Sequence, residues 1–195
     1  IITPVRENRQ SGIYLMTERA SQGVAGTNVE PVRQREIVAW AFYDFANSGY
    51  TTVVLTTIYS AYFVGVVAAG LDEQRPGSAT LVWTLAIAAA NLCVLLASPV
   101  IGAIADVRAS KKRFLLLSSI ACVAATALLA AAAPGDIVLA VSMLVISAIA
   151  FSIGESLIAA FLPEIASRDN MGRISGYGWS LGYFGGLLTL AVSLA

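Results

Sequence analysis

The sequence predicts an all-α, polytopic membrane protein, and three observations carry that expectation. Hydrophobic residues fill 57% of the 195 positions and charged residues only 12%, where an ordinary soluble domain is about a quarter charged. The apolar residues gather into five runs, each close to or above the roughly 20 residues that cross a bilayer as a helix. Lys and Arg concentrate in alternate loops between those runs, the pattern left by basic loops retained on the cytoplasmic side.

Residues 1–36 open the chain as a polar stretch. They lack the apolar core of a secretory signal peptide and are expected to form a disordered cytoplasmic tail. The chain begins with Ile1, and Met16 is a candidate true start. The first span is expected over residues 37–67. A short loop with Gly70, Asp72, Glu73, Pro76 and Gly77 leads to a second span over 80–105. A basic loop, 108–113, precedes a third over 114–132. Pro134, Gly135 and Asp136 then make a tight turn. The fourth span, 137–162, is expected to stop at Pro163, because proline cannot continue a helix. A polar loop, 164–173, precedes a fifth span over 174–195. The apolar end at Ala195, without a flanking charge, is the pattern expected of a truncated larger protein, the alternative being a genuine five-span chain.

Basic residues give the orientation. Arg33 and Arg35 precede the first span, Arg108, Lys111, Lys112 and Arg113 separate the second and third, and Arg168 and Arg173 separate the fourth and fifth. The two remaining loops hold only Arg75. The expectation is an integral protein of a bacterial inner membrane with its N-terminus in the cytoplasm.

The first span carries an acid, Asp44, at membrane depth. An ionisable group there costs roughly 2.5–3.5 kcal/mol on insertion scales and faces a polar interior. Stepping by three and four residues from Asp44 reaches Asn47, Ser48 and Thr51 on one side of a helix, with Thr52, Thr56 and Tyr59 in an adjacent stripe. Such a helix lines a cavity or a bundle. Glu155, late in the fourth span, falls in the same cytoplasmic half. A carboxylate withdrawn from water can carry a proton near neutral pH, so Asp44, Asn47, Ser48, Thr51 and Glu155 are the candidate substrate or proton path. The competing reading makes the two acids structural, each satisfied within the bundle.

Other features are weighed the same way. Gly178, Gly182 and Gly186 recur every fourth residue in the fifth span, a spacing that lets helices approach closely. Trp40, Tyr43, Trp179 and Tyr183 are read as interface anchors. Zero net charge and the absence of His exclude a nucleic-acid footprint and a His-based metal site. Cys93 and Cys122 lie far apart in apolar runs and read as small buried hydrophobes rather than a disulfide or metal pair. No catalytic triad, phosphate loop or metal spacing is present, so no cofactor and no enzyme activity are expected.

The most specific segment is the loop 102–113, with Gly102, Asp106, Arg108, Lys111, Lys112 and Arg113. Gly102, Asp106, Lys111 and Lys112 match the signature of the major facilitator superfamily, which this loop resembles; Val107 and Ala109 depart from it, standing where a basic residue and a glycine are usual. Within that superfamily the run from Trp40 to Ser48, the run Phe161-Leu162-Pro163-Glu164-Ile165-Ala166 and the run from Ser175 to Gly186 are similar to the vacuole-effluxer-type branch. The resemblance implies the first five helices of a twelve-helix carrier built from two six-helix halves. Such carriers work by alternating access, with substrate bound near the midplane. It further implies a small-molecule substrate, amino acids being the class that fungal members export, and as partners membrane lipid and the C-terminal remainder of the same chain. Gly102, Asp106, Arg108, Lys111 and Lys112 would then latch the halves at the cytoplasmic gate. The alternative function is a non-transporting membrane scaffold or receptor that keeps the same fold.

Overall fold

The structure is a computed structural model that describes residues 34–107 and 110–195, without the side chains of residues 105–107. Nearly all of the polar tail, Arg108 and the Asp106 side chain therefore lie outside the described residues. All regular structure among the described residues is helical.

The first span is not one continuous helix. It opens as α1 (Gln34–Gly49) and widens into a π-helical stretch, Tyr50–Thr56. It breaks at Thr57 (φ −119°, ψ −82°), resumes as α2 (Ile58–Tyr62), and ends in a second π-helical stretch, Phe63–Val67. The widening begins where Thr51, Thr52, Val53 and Val54 follow one another. Four β-branched residues in a row crowd the preceding turn. Hydroxyls take up the displaced carbonyls: Thr52 donates to Ser48 O at 3.0 Å, Thr56 to Thr51 O at 2.7 Å, and Thr57 to Thr52 O. Such back-bonding lets a membrane helix deviate without leaving carbonyls unpaired in lipid.

The segment expected as a loop after this span contains a short helix, α3 (Ala69–Gln74). Gly77, in the left-handed region at φ 83°, then turns the chain, and the Asp72 carboxylate accepts from the Ala79 N–H at 2.8 Å at the start of the next helix. That helix, α4 (Ser78–Val107), runs for 30 residues and contains Pro99. At 1.5 Å per residue it is about 45 Å long. α5 (Lys111–Leu129) starts earlier than the apolar run, so Lys111 and Lys112 lie in its first turn rather than in a loop. Gly135, at φ 94°, makes the turn into α6 (Ile137–Ala159), and its N–H donates to Val67 O at 2.9 Å. α6 ends before Pro163, which sits instead in the first turn of a one-turn helix, α7 (Leu162–Ile165). α8 (Met171–Leu194) closes the described chain.

Among the described residues four stretches are long and apolar enough to cross a membrane: Gln34–Val67, Ser78–Ile104, Lys111–Leu129 and Ile137–Ile165. α8, expected as a fifth, is long enough at 24 residues but is not among them. Gly172, Gly176, Gly178, Gly182, Gly185 and Gly186, with Trp179, Tyr177, Tyr183 and Arg173, dilute its hydropathy.

α6 is the most enclosed of the four stretches and α4 the most exposed. α5 and α4 pack on α6, while α1 packs on α8. Side-chain bonds then join α1 to the α5–α6 pair. Trp40 Nε1 donates to Ile158 O at 2.9 Å, the Tyr43 hydroxyl meets Ser119 Oγ at 3.1 Å, and the Tyr50 hydroxyl meets the fully buried Ser147 Oγ at 2.7 Å. Trp40 and Tyr43 thus cross-link helices rather than only marking an interface. The core beneath gathers Tyr50, Val54, Ala86, Cys122, Leu129 and Leu144, and a second cluster around Phe63, Val67, Ala79 and Ala140 fills the opposite end. Cys122 is buried, as a small hydrophobe would be, but Cys93 is exposed on α4.

Candidate functional site

The glycines of α8 determine how closely it approaches α1. A Cβ on Gly178 would collide with the Trp40 ring, and one on Gly185 with the backbone carbonyl of Phe45. On Gly186 it would stand 2.6 Å from Thr52 Oγ1, and on Gly182 2.6 Å from Asp44 Oδ2 and 2.9 Å from Ser48 Oγ. The repeat Gly178, Gly182, Gly186 therefore lies against the polar side of α1. Gly185, which the four-residue spacing passes over, makes the tightest backbone approach.

Where α1, α6 and α8 diverge beyond these contacts they leave a cleft of about 450 Å³. Asp44, Ser48, Thr51, Thr52 and Glu155 line one side, and Trp179, Tyr183 and Leu187 with Gly182 and Gly186 the other. Asp44 and Glu155, 111 positions apart by their numbers, thus face one cavity. Both are half-buried. Asn47 donates its amide Nδ2 to Glu155 Oε1, so it lies between the helices and holds one acid in place. Asn47 also lines a neighbouring, largely apolar cavity of about 560 Å³ with Tyr43, Tyr50, Cys122 and Thr126.

Trp179, Tyr183 and Leu187 did not emerge as site residues from the sequence, although they recur every fourth position beside the glycines. That shared period is the signal that finds them: an aromatic ridge flanking a glycine groove on one helix. Trp179 and Tyr183 meet edge to face, with ring centroids 5.5 Å apart and planes at 84°.

The loop residues are not brought to this cleft. Gly102 has nothing within 4 Å of where a Cβ would stand, so among the described residues no neighbouring helix comes close to it. Lys111 Nζ forms an ion pair with Glu164 Oε1 of α7 at 2.7 Å. Lys112 lines a separate hollow of about 430 Å³ with Glu36, Trp40 and Glu164. Asp106, by its side chain, and Arg108 fall outside the described residues. Among the described residues no group of three His, Cys, Asp or Glu is placed to hold a metal ion.

A helical chain with several stretches long and apolar enough to cross a bilayer, and with two acids lining a cleft between its helices, is an integral membrane protein. Residues 8–190 match the Major Facilitator Superfamily, and the chain belongs to that superfamily. It is 32% identical over 157 residues to the "Uncharacterized MFS-type transporter YxiO" of Bacillus subtilis (strain 168), a match covering 80% of this chain and 36% of that protein. The chain thus spans about a third of the length of the curated relative it matches. No solved structure matches it.

Proposed function

We propose that this chain is the N-terminal part of a secondary transporter that moves small solutes by alternating access, with α1 lining the path. The observation that carries the reading is the convergence of Asp44, Ser48, Thr51, Thr52 and Glu155 on one cleft. Polar and ionisable groups gathered at membrane depth mark substrate and ion pathways rather than packing. Superfamily membership and the MFS-type relative support the same class. The full protein is a carrier of twelve helices in two halves, and the second half closes the open side of the cleft.

The likeness to the vacuole-effluxer-type branch makes amino acids the first solutes to assay. Asp44 and Glu155 are the groups through which a proton gradient would couple. The basic residues after α4 and before α8 favour insertion with the N-terminus in the cytoplasm of a bacterial inner membrane. Gly102, Asp106, Arg108, Lys111 and Lys112 belong to the gate at that side. In this half Lys111 serves by fixing α5 to α7 through Glu164.

The test uses the full-length protein in liposomes, loaded or presented with labelled amino acids and other small solutes, with and without an imposed proton gradient. Gradient-driven flux that Asp44→Asn abolishes, in a variant that inserts normally, is the expected result. Full flux in Asp44→Asn removes α1 from the path, and no flux of any solute from folded protein favours the scaffold reading.

A further inference from the structure

Resting on the reading of this cleft as a solute path, we infer that the solute is an organic cation, an amine or quaternary ammonium group carried on an apolar body. The first ground is an unpaired acid. The Asp44 carboxylate lines the cleft, and among the described residues it accepts no hydrogen bond and forms no ion pair; the nearby Ser48 hydroxyl donates to the Asp44 backbone carbonyl instead. A half-buried carboxylate in a membrane protein is stabilised by a partner charge or by taking up a proton, and Asp44 lines the cleft from which either would come.

The second ground is the sign of the lining. Glu155 faces the same cavity and is bonded to a neutral amide, Asn47. Among the described residues no Lys or Arg lines the cleft. Its hydroxyls do not redress this. Ser48 spends its hydrogen on Asp44 O at 2.8 Å and Thr52 on Ser48 O at 3.0 Å, so both turn lone pairs outward. The donors that remain are neutral: the Thr51 hydroxyl, and the Trp179 N–H and Tyr183 O–H on side chains that are 71% and 64% exposed. Among the described residues, an anion entering this cleft would meet two carboxylates and no cation. The ammonium group of an amino acid fits; its carboxylate finds no charge partner here.

The third ground is the opposite wall. Trp179 and Tyr183 present their rings to the cavity beside Leu187. Aromatic faces attract a cation, weakly while the rings are as exposed as these and more strongly once water is excluded, and Leu187 adds apolar surface for the body that carries it.

The experiment holds the body constant and changes the charge. Phenethylamine, 2-phenylethanol and phenylacetate are titrated into purified full-length protein, with thermal unfolding and calorimetry as readouts. Phenethylamine is expected to bind and raise the midpoint, and phenylacetate is not. Asp44→Asn should weaken phenethylamine about tenfold or more, the scale of losing one charge-assisted contact, and Trp179→Leu about threefold. Glu155→Gln serves in place of Asp44→Asn if the latter elutes aggregated. Equal binding of phenylacetate or 2-phenylethanol, undiminished binding in both carboxylate variants, or no binding of any of the three overturns the inference. Liposome flux separates the two readings. Phenethylamine bound but never moved removes transport and leaves cation recognition. Phenylacetate moved while phenethylamine is ignored removes cation recognition and leaves transport.

Discussion

Gly182 of α8 lies directly against the carboxylate of Asp44, so that a Cβ there would stand 2.6 Å from Oδ2. Two neighbouring glycines on the same helix therefore have different work. Gly182 leaves room for the end of a side chain that can rotate, whereas Gly185 leaves room for the backbone carbonyl of Phe45, which cannot move without separating the helices. Gly185→Ala should cost stability at the upper end of the roughly 1–3 kcal/mol typical of overpacking, and Gly182→Ala at the lower end. Gly182→Ala should nonetheless impair flux more than its stability loss explains, by turning Asp44 out of place. Unfolding in detergent and flux in liposomes, measured on both variants, check the order; a reversed order of stabilities refutes the assignment.

Asn47 and Glu155 form a side-chain to side-chain link between α1 and α6. Asn47→Ala leaves Glu155 Oε1 without its donor, whereas Glu155→Gln retains an oxygen that can accept it. The first change should therefore destabilise more than the second. A double-mutant cycle should return a coupling of about 0.6–1.7 kcal/mol, from the average to the largest value found for hydrogen bonds between membrane helices. A coupling indistinguishable from zero would mean that the two side chains do not meet in the bilayer.

The helical, multi-span class was legible because it rests on composition and on lengths of apolar runs, which a sequence states directly. Asp44 stood out because a charge inside an apolar run is conspicuous against its neighbours. What was hidden depends on pairing between helices. Nothing local connects Asn47 with Glu155, or Tyr50 with Ser147, because those bonds exist only once α1 crosses α6. Trp179 and Tyr183 resembled interface anchors, since an aromatic ring near a helix end has the same composition whether it faces headgroups or a cleft. The π-helical stretch at Tyr50–Thr56 was missed because the stripe through Thr52, Thr56 and Tyr59 assumed an unbroken period of 3.6. The early end of α6 shows a related confusion: Pro163 starts a short helix rather than ending a long one, and proline is well placed in a first turn.

Orientation gives a prediction independent of any solute. Arg75 is exposed beyond α3, at the end of the bundle opposite Arg168, which lies between α7 and α8. With Cys93 and Cys122 replaced by serine and alanine, Arg75→Cys should react with a membrane-impermeant maleimide added outside intact cells. Arg168→Cys should react only after the cells are opened. The reverse pattern would place the N-terminus outside and overturn the orientation read from the basic loops.

Lys111 and Glu164 join α5 to α7 at 2.7 Å, and the Glu164 side chain is 52% exposed. At that exposure solvent screens most of the attraction, and such pairs are worth roughly 0–1 kcal/mol. Glu164→Gln should therefore lower the unfolding free energy by no more than about 1 kcal/mol. The difference should shrink as salt is raised from about 0.05 to 0.5 M, as the Debye length contracts. Its effect should be local instead: the pair ties the start of α5 to the short helix after α6, so faster hydrogen exchange is expected at both segments, with α1 and α8 unchanged. A salt-independent loss well above 1 kcal/mol would show that the pair is shielded from solvent in the full protein.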